Sequence, residues 1–133
     1  MKNRIYKVME AFKQGEEIKT YDMEVKGQWL TYNGANKPVV TDGFKGMELY
    51  IHGDMVAEMN FHNPVLWFSL AGNRTMGTAG RLNRLFETLN TKAKIVYDDG
   101  ELYLTTPEEK VNINENDWFS IGGKASILKK NFR

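Results

Sequence analysis

The pair Asp99-Gly100, set between Ile95-Val96-Tyr97 and Leu102-Tyr103-Leu104, constrains the fold of this chain more than any other feature. An Asp-Gly step readily adopts the two left-handed conformations of a type I′ turn, whose twist suits two antiparallel strands. The register it sets places Ile95, Tyr97, Leu102 and Leu104 on one face, so a half-buried hairpin is expected. A chain built on such a hairpin needs antiparallel sheet, and its helices must bury their apolar stripes against that sheet.

Two helices are legible by spacing. Ile5, Val8, Met9 and Phe12 fall at i, i+3, i+4 and i+7, with Asn3 as a candidate cap and Gly15 as a stop, so a short amphipathic helix is predicted over about 3–14. Leu82, Leu85, Phe86 and Leu89 repeat the pattern, and Thr78 is the predicted N-cap of a helix running to Asn90. A hairpin is expected over Lys19 to Tyr32, with Tyr21, Met23 and Val25 alternating before a Gly27-Gln28 turn and Trp29–Tyr32 after it, and further strands around Met47–Met59, Val65–Leu70, Val111–Ile113 and Trp118–Ile121. Within Met47–Met59, Gly53-Asp54 is the expected turn, pairing Ile51 with Val56 and Tyr50 with Ala57. Val65–Leu70 is apolar on both faces, as a strand covered on two sides would be.

At 133 residues the chain has the size of one domain. The expectation is a single α+β unit with a twisted antiparallel sheet of about six strands. One helix packs on a face, and the N-terminal helix caps an edge or a neighbouring subunit. The sheet and helix core spans about 19–121, and a basic tail follows from Lys124 to Arg133.

Eighteen basic residues against seventeen acidic ones leave no global field to draw the chain onto nucleic acid or membrane. Cysteine is absent, which removes disulfide scaffolds, thiolate metal sites and cysteine nucleophiles. No apolar signal region follows Met1-Lys2-Asn3-Arg4, so a cytoplasmic setting without membrane contact is expected.

The stretch Glu48-Leu49-Tyr50-Ile51-His52-Gly53-Asp54-Met55-Val56-Ala57-Glu58, followed by Thr75-Met76-Gly77-Thr78-Ala79-Gly80-Arg81-Leu82-Asn83, resembles a group of small bacteriophage proteins of unknown function. In that group a Tyr-Gly-small-aliphatic-Ala strand precedes a Thr-Thr-x-x-Arg-Leu-Asn helix entry. The resemblance runs from Glu48 to about Tyr103, and Gly77 stands here where the first threonine of the pair would be. It implies a phage accessory protein made in an infected bacterium, and it carries no mechanism.

The sharpest chemical signal is the glycine-bearing loop that runs into the second helix. Unpaired amides and the helix dipole favour an anion at such an end. Arg74, Thr75, Gly77, Thr78, Ala79, Gly80, Arg81 and Arg84 are therefore the candidate phosphate ligands. The ordinary alternative is a capped helix whose arginines pair with surface carboxylates. The loop lacks the lysine of a Walker A motif, so nucleotide hydrolysis is not expected. Trp29, Tyr32 and Trp118, among aromatics that also include Tyr21, Trp67, Phe68, Tyr97 and Tyr103, are candidate stacking surfaces for a base.

His52 and His62 match no metal spacing, and Asn112–Asp117 lacks the glycine and the bidentate glutamate of a calcium loop. No metal and no cofactor are expected. The leading expectation is a non-enzymatic phage protein, forming a homo-oligomer, that sequesters a phosphorylated ligand such as a nucleotide or cyclic oligonucleotide defence signal. The alternative is an inhibitor that binds a host or defence protein such as a nuclease. A nucleic-acid-binding accessory protein is the third reading.

Overall fold

A computed structural model describes residues 4–29, 44–60, 65–73, 76–113, 116–121 and 126–130. They form an α+β fold in the order α1 (Arg4–Gln14), β1 (Ile18–Lys19), β2 (Met23–Trp29), β3 (Phe44–Ile51), β4 (Asp54–Asn60), β5 (Val65–Phe68), α2 (Met76–Thr88), β6 (Lys94–Asp98), β7 (Glu101–Thr105), β8 (Lys110–Asn112), β9 (Trp118–Ile121) and β10 (Ile127–Lys130). Seven strands make one antiparallel sheet, ordered β1-β2-β3-β4-β5-β9-β10, while β6, β7 and β8 make a separate three-stranded sheet. The single sheet of about six strands is thus replaced by two sheets.

Both helices form for the reason their spacing gives. Val8, Met9 and Phe12 on α1, and Ala79, Leu82, Leu85 and Phe86 on α2, are completely buried. The two helices also end alike. Gly15 and Asn90 take left-handed φ values of 78° and 57°. Past them, the Glu16 N–H donates to Ala11 O at 2.9 Å and the Thr91 N–H to Phe86 O at 2.8 Å, closing the six-residue cap that satisfies the last carbonyls. The predicted cap Asn3 lies outside the described residues.

The hairpin at Asp99-Gly100 has the predicted register, with Ile95 opposite Leu104 and Tyr97 opposite Leu102. Ile95, Leu102 and Leu104 are buried, whereas Tyr97 is exposed near the tip. The β3–β4 turn differs from expectation: His52 and Gly53 are the turn residues, with φ of 52° and 85°, and Ile51 faces Asp54. The register then slips, Tyr50 facing Met55 and Leu49 facing Ala57, so Val56 is the extra residue of a bulge.

Two further expectations are corrected. Strand β2 runs through Gly27 and Gln28, paired with Met47 and Gly46, where a turn is expected from the sequence, while helix α1 packs beside α2 and against β1, β2 and β3, with β1 the edge strand of the sheet. Part of the supposed basic tail is a strand, with Ile127 to Lys130 paired to Ile121 to Trp118. The core centres on Phe68, whose ring meets Phe86 edge-on at 4.7 Å and lies 6.3 Å from Phe119. The small sheet is tied to α2 by Asn83: the Ile95 N–H donates to Asn83 Oδ1 at 2.7 Å, and Asn83 Nδ2 donates to Ile95 O at 2.9 Å. One side chain therefore satisfies both backbone groups of a buried strand residue. Among the described residues no helix is long and apolar enough to cross a membrane.

Candidate functional site

Two tight turns meet at one end of the large sheet. In the β1–β2 turn, the Thr20 N–H donates to Met23 O at 2.8 Å and the Met23 N–H donates back to Thr20 Oγ1 at 3.2 Å. This closure leaves Tyr21 at the tip, 93% exposed. Asp22 points the other way, its side chain 5% exposed. The His52 N–H donates to Asp22 O at 2.7 Å, which fixes the β3–β4 turn beside the first.

Asp22 anchors this end to both helices. Arg81 Nη2 donates to Asp22 Oδ2 at 2.5 Å, and Arg4 Nη2 stands 3.7 Å from Oδ1. Arg81 Nη1 lies 3.4 Å from His52 Nε2, and a guanidinium only donates, so that ring nitrogen faces it as the acceptor. Helix α1, helix α2 and two hairpins therefore share one ionic joint.

Beside the joint, and sharing Asp22 and His52 with it, Lys19, Tyr21, Glu24, Lys26 and Tyr50 line a cleft of about 350 Å³. Its floor is set by sheet register: Lys19 faces Glu24 across β1 and β2, and Glu24 faces Tyr50 across β2 and β3. The Tyr50 hydroxyl donates to Glu48 Oε1 at 2.8 Å, and Lys26 Nζ stands 5.1 Å from the Tyr50 ring centroid. Burial, the hydrogen bond to Glu48 and the charges of Glu48, Glu24 and Glu58 push the Tyr50 phenol up to about 12. It therefore keeps its proton and remains a donor across the ordinary pH range. Lys19 and Lys26 line the cleft together with Glu24, and the carboxylates of Glu48 and Glu58 act on Tyr50 at its floor.

Of the residues predicted to hold phosphate, those that are described are divided between the core, the surface and an ion pair. Helix α2 begins at Met76, so Thr78 is the third helical residue, buried in the first turn and not the N-cap. Arg74 and Thr75 lie outside the described residues. Gly77 is exposed, Ala79 is in the core, and a Cβ added at Gly80 would meet open space, so no close backbone approach is enforced there. Arg81 is committed to Asp22. Arg84 is 62% exposed and pairs with Glu87 at 3.4 Å, a surface contact of little worth.

Of the stacking candidates, Trp118 is 7% exposed and belongs to the interior. The Trp29 side chain and all of Tyr32 lie outside the described residues. Tyr21 is among the aromatics that the sequence offers for stacking and Arg81 among its candidate anion ligands, but their common surroundings carry no local signal, since Asp22 and Arg81 stand 59 positions apart. Among the described residues no group of three or more histidines and carboxylates could hold a metal ion. In comparisons with protein-family models, curated proteins and solved structures, the chain matches none.

Proposed function

We propose that this chain is a non-enzymatic binding domain for a phosphorylated, aromatic small molecule of the nucleotide class. Its site is the cleft between the β1–β2 and β3–β4 turns, displaced from the α2 N-terminus. The observation that carries this reading is Tyr21, an aromatic ring 93% exposed on a hydrogen-bonded turn beside Lys19 and Lys26. An exposed ring carried on a hydrogen-bonded turn offers a base a stacking face, and the lysines offer charge to a phosphate.

Turnover is not part of the proposal. The Thr20 hydroxyl is engaged in its turn and Asp22 in its ion pair, so neither is poised as a nucleophile. Set beside the resemblance to small phage proteins, the reading makes the ligand a nucleotide or cyclic oligonucleotide signal of bacterial defence, sequestered in the infected host.

Calorimetry against linear and cyclic nucleotides tests the proposal. Tyr21→Ala should weaken the bound nucleotide about fivefold or more, since stacking contributes roughly 1–3 kcal/mol per base. Arg84→Ala should leave affinity unchanged. If no nucleotide binds while a host lysate yields a stoichiometric protein partner, the inhibitor reading replaces this one.

A further inference from the structure

The carboxylates beside the cleft of the two turns have different surroundings. Asp22 is buried, and its Oδ2 is held by Arg81. Glu48 Oε1 accepts the Tyr50 hydroxyl at 2.8 Å. Glu24 lines the cleft itself and is partly exposed, with Lys19 opposite it on β1 and Tyr50 opposite it on β3. No hydrogen bond or ion pair engages its carboxylate among the described residues.

Side chains two apart on a strand share a face, so Lys26 stands next to Glu24 on β2. Its Nζ lies 5.1 Å from the centroid of the Tyr50 ring. The cleft thus presents an accessible carboxylate flanked by two ammonium groups, beside the exposed ring of Tyr21.

An ionised carboxylate has two acceptor oxygens and no proton to give. Guanine carries two parallel donors on one edge, N1–H and an N2–H, which match those oxygens in a charge-assisted bidentate pair. Adenine and cytosine set the lone pair of a ring nitrogen beside their amino group, where it would face the second oxygen. Uracil flanks its N3–H with two carbonyls, which would do the same. Guanine O6, next to N1, accepts from an ammonium group.

We propose that this cleft selects guanine, with Glu24 accepting N1–H and N2–H, a neighbouring lysine donating to O6 and Tyr21 supplying the stacking face. This selection rests on the nucleotide reading of the same cleft, and it narrows the ligand to guanine nucleotides.

Calorimetric titration of the full chain with GMP, AMP, CMP, UMP and IMP tests it. GMP should bind about fivefold or more tightly than AMP, CMP or UMP, the discrimination of a bidentate base contact. IMP, which lacks the 2-amino group, should fall between GMP and AMP. Glu24→Gln keeps the size of a partly exposed side chain and exchanges one acceptor oxygen for a donor amide. It should lower the ratio of GMP to AMP affinity about fivefold or more, because an amide matches the donor and acceptor of adenine and opposes the second donor of guanine. A purely structural role for Glu24 would move both affinities together and leave that ratio unchanged. Equal affinity of the unaltered protein for GMP and AMP, which needs no variant to fold, would overturn guanine selection while leaving the nucleotide reading in place, as would an unchanged ratio in folded Glu24→Gln. Binding of none of the five would overturn both.

Discussion

Arg81→Ala is expected to destabilise the fold by about 3–5 kcal/mol, the range for breaking a buried ion pair from one side. The guanidinium is 18% exposed and its partner Asp22 5%, so the variant would leave a carboxylate out of water with Arg4, at 3.7 Å, as its remaining ion-pair partner among the described residues. Asp22 Oδ1 already lacks a hydrogen bond among the described groups, which makes the loss of the Oδ2 contact harder to absorb. Urea denaturation of Arg81→Ala and Arg84→Ala side by side would read the contrast. Arg84 is exposed on the same helix, and its removal should change stability by no more than about 0.5 kcal/mol. Equal small losses in both would mean that the Asp22 joint carries no stability. The sequence alone treats the two arginines as equivalent exposed ligands; the joint separates them.

Phe86→Ala is expected to cost about 3–5 kcal/mol as well, for a different reason. Phe86 is completely buried and its ring meets Phe68 edge-on at 4.7 Å, so truncation removes apolar burial, an aromatic pair and the filling of the core at once. Denaturation midpoints at constant slope would measure it. A loss below about 0.5 kcal/mol would mean that the core does not close on Phe68 and Phe86.

What could be read from sequence was what local spacing encodes. The apolar stripes of α1 and α2, and the Asp99-Gly100 turn, are decided within a dozen residues, and each is found in place. The β3–β4 turn was misread by one position because glycine was assigned the first turn place. In the structure His52 takes a left-handed φ ahead of Gly53, and the Val56 bulge restores the alternation that buries Ala57. Strand β10 was hidden by its lysines, which suit an edge strand as well as a solvated tail. At the free edge of β6 the side chain of Asn83 takes both backbone groups of Ile95, and nothing in the spacing of Asn83 announces that. The cleft was illegible for the same kind of reason. Tyr21 is conspicuous only once Thr20 closes the turn beneath it, and Asp22 only once Arg81 reaches it from another element.

The central claim is that a nucleotide-class ligand sits between the two turns and not at the end of α2. Titrating the isotopically labelled protein with the tightest nucleotide from the calorimetric panel, and following the backbone amides by NMR, addresses this directly. Saturable shifts are expected to concentrate at Lys19 to Lys26 and Tyr50 to Gly53, with Gly77 to Gly80 nearly still. Shifts confined to the first turn of α2, or no saturable shift with any nucleotide, would contradict that claim.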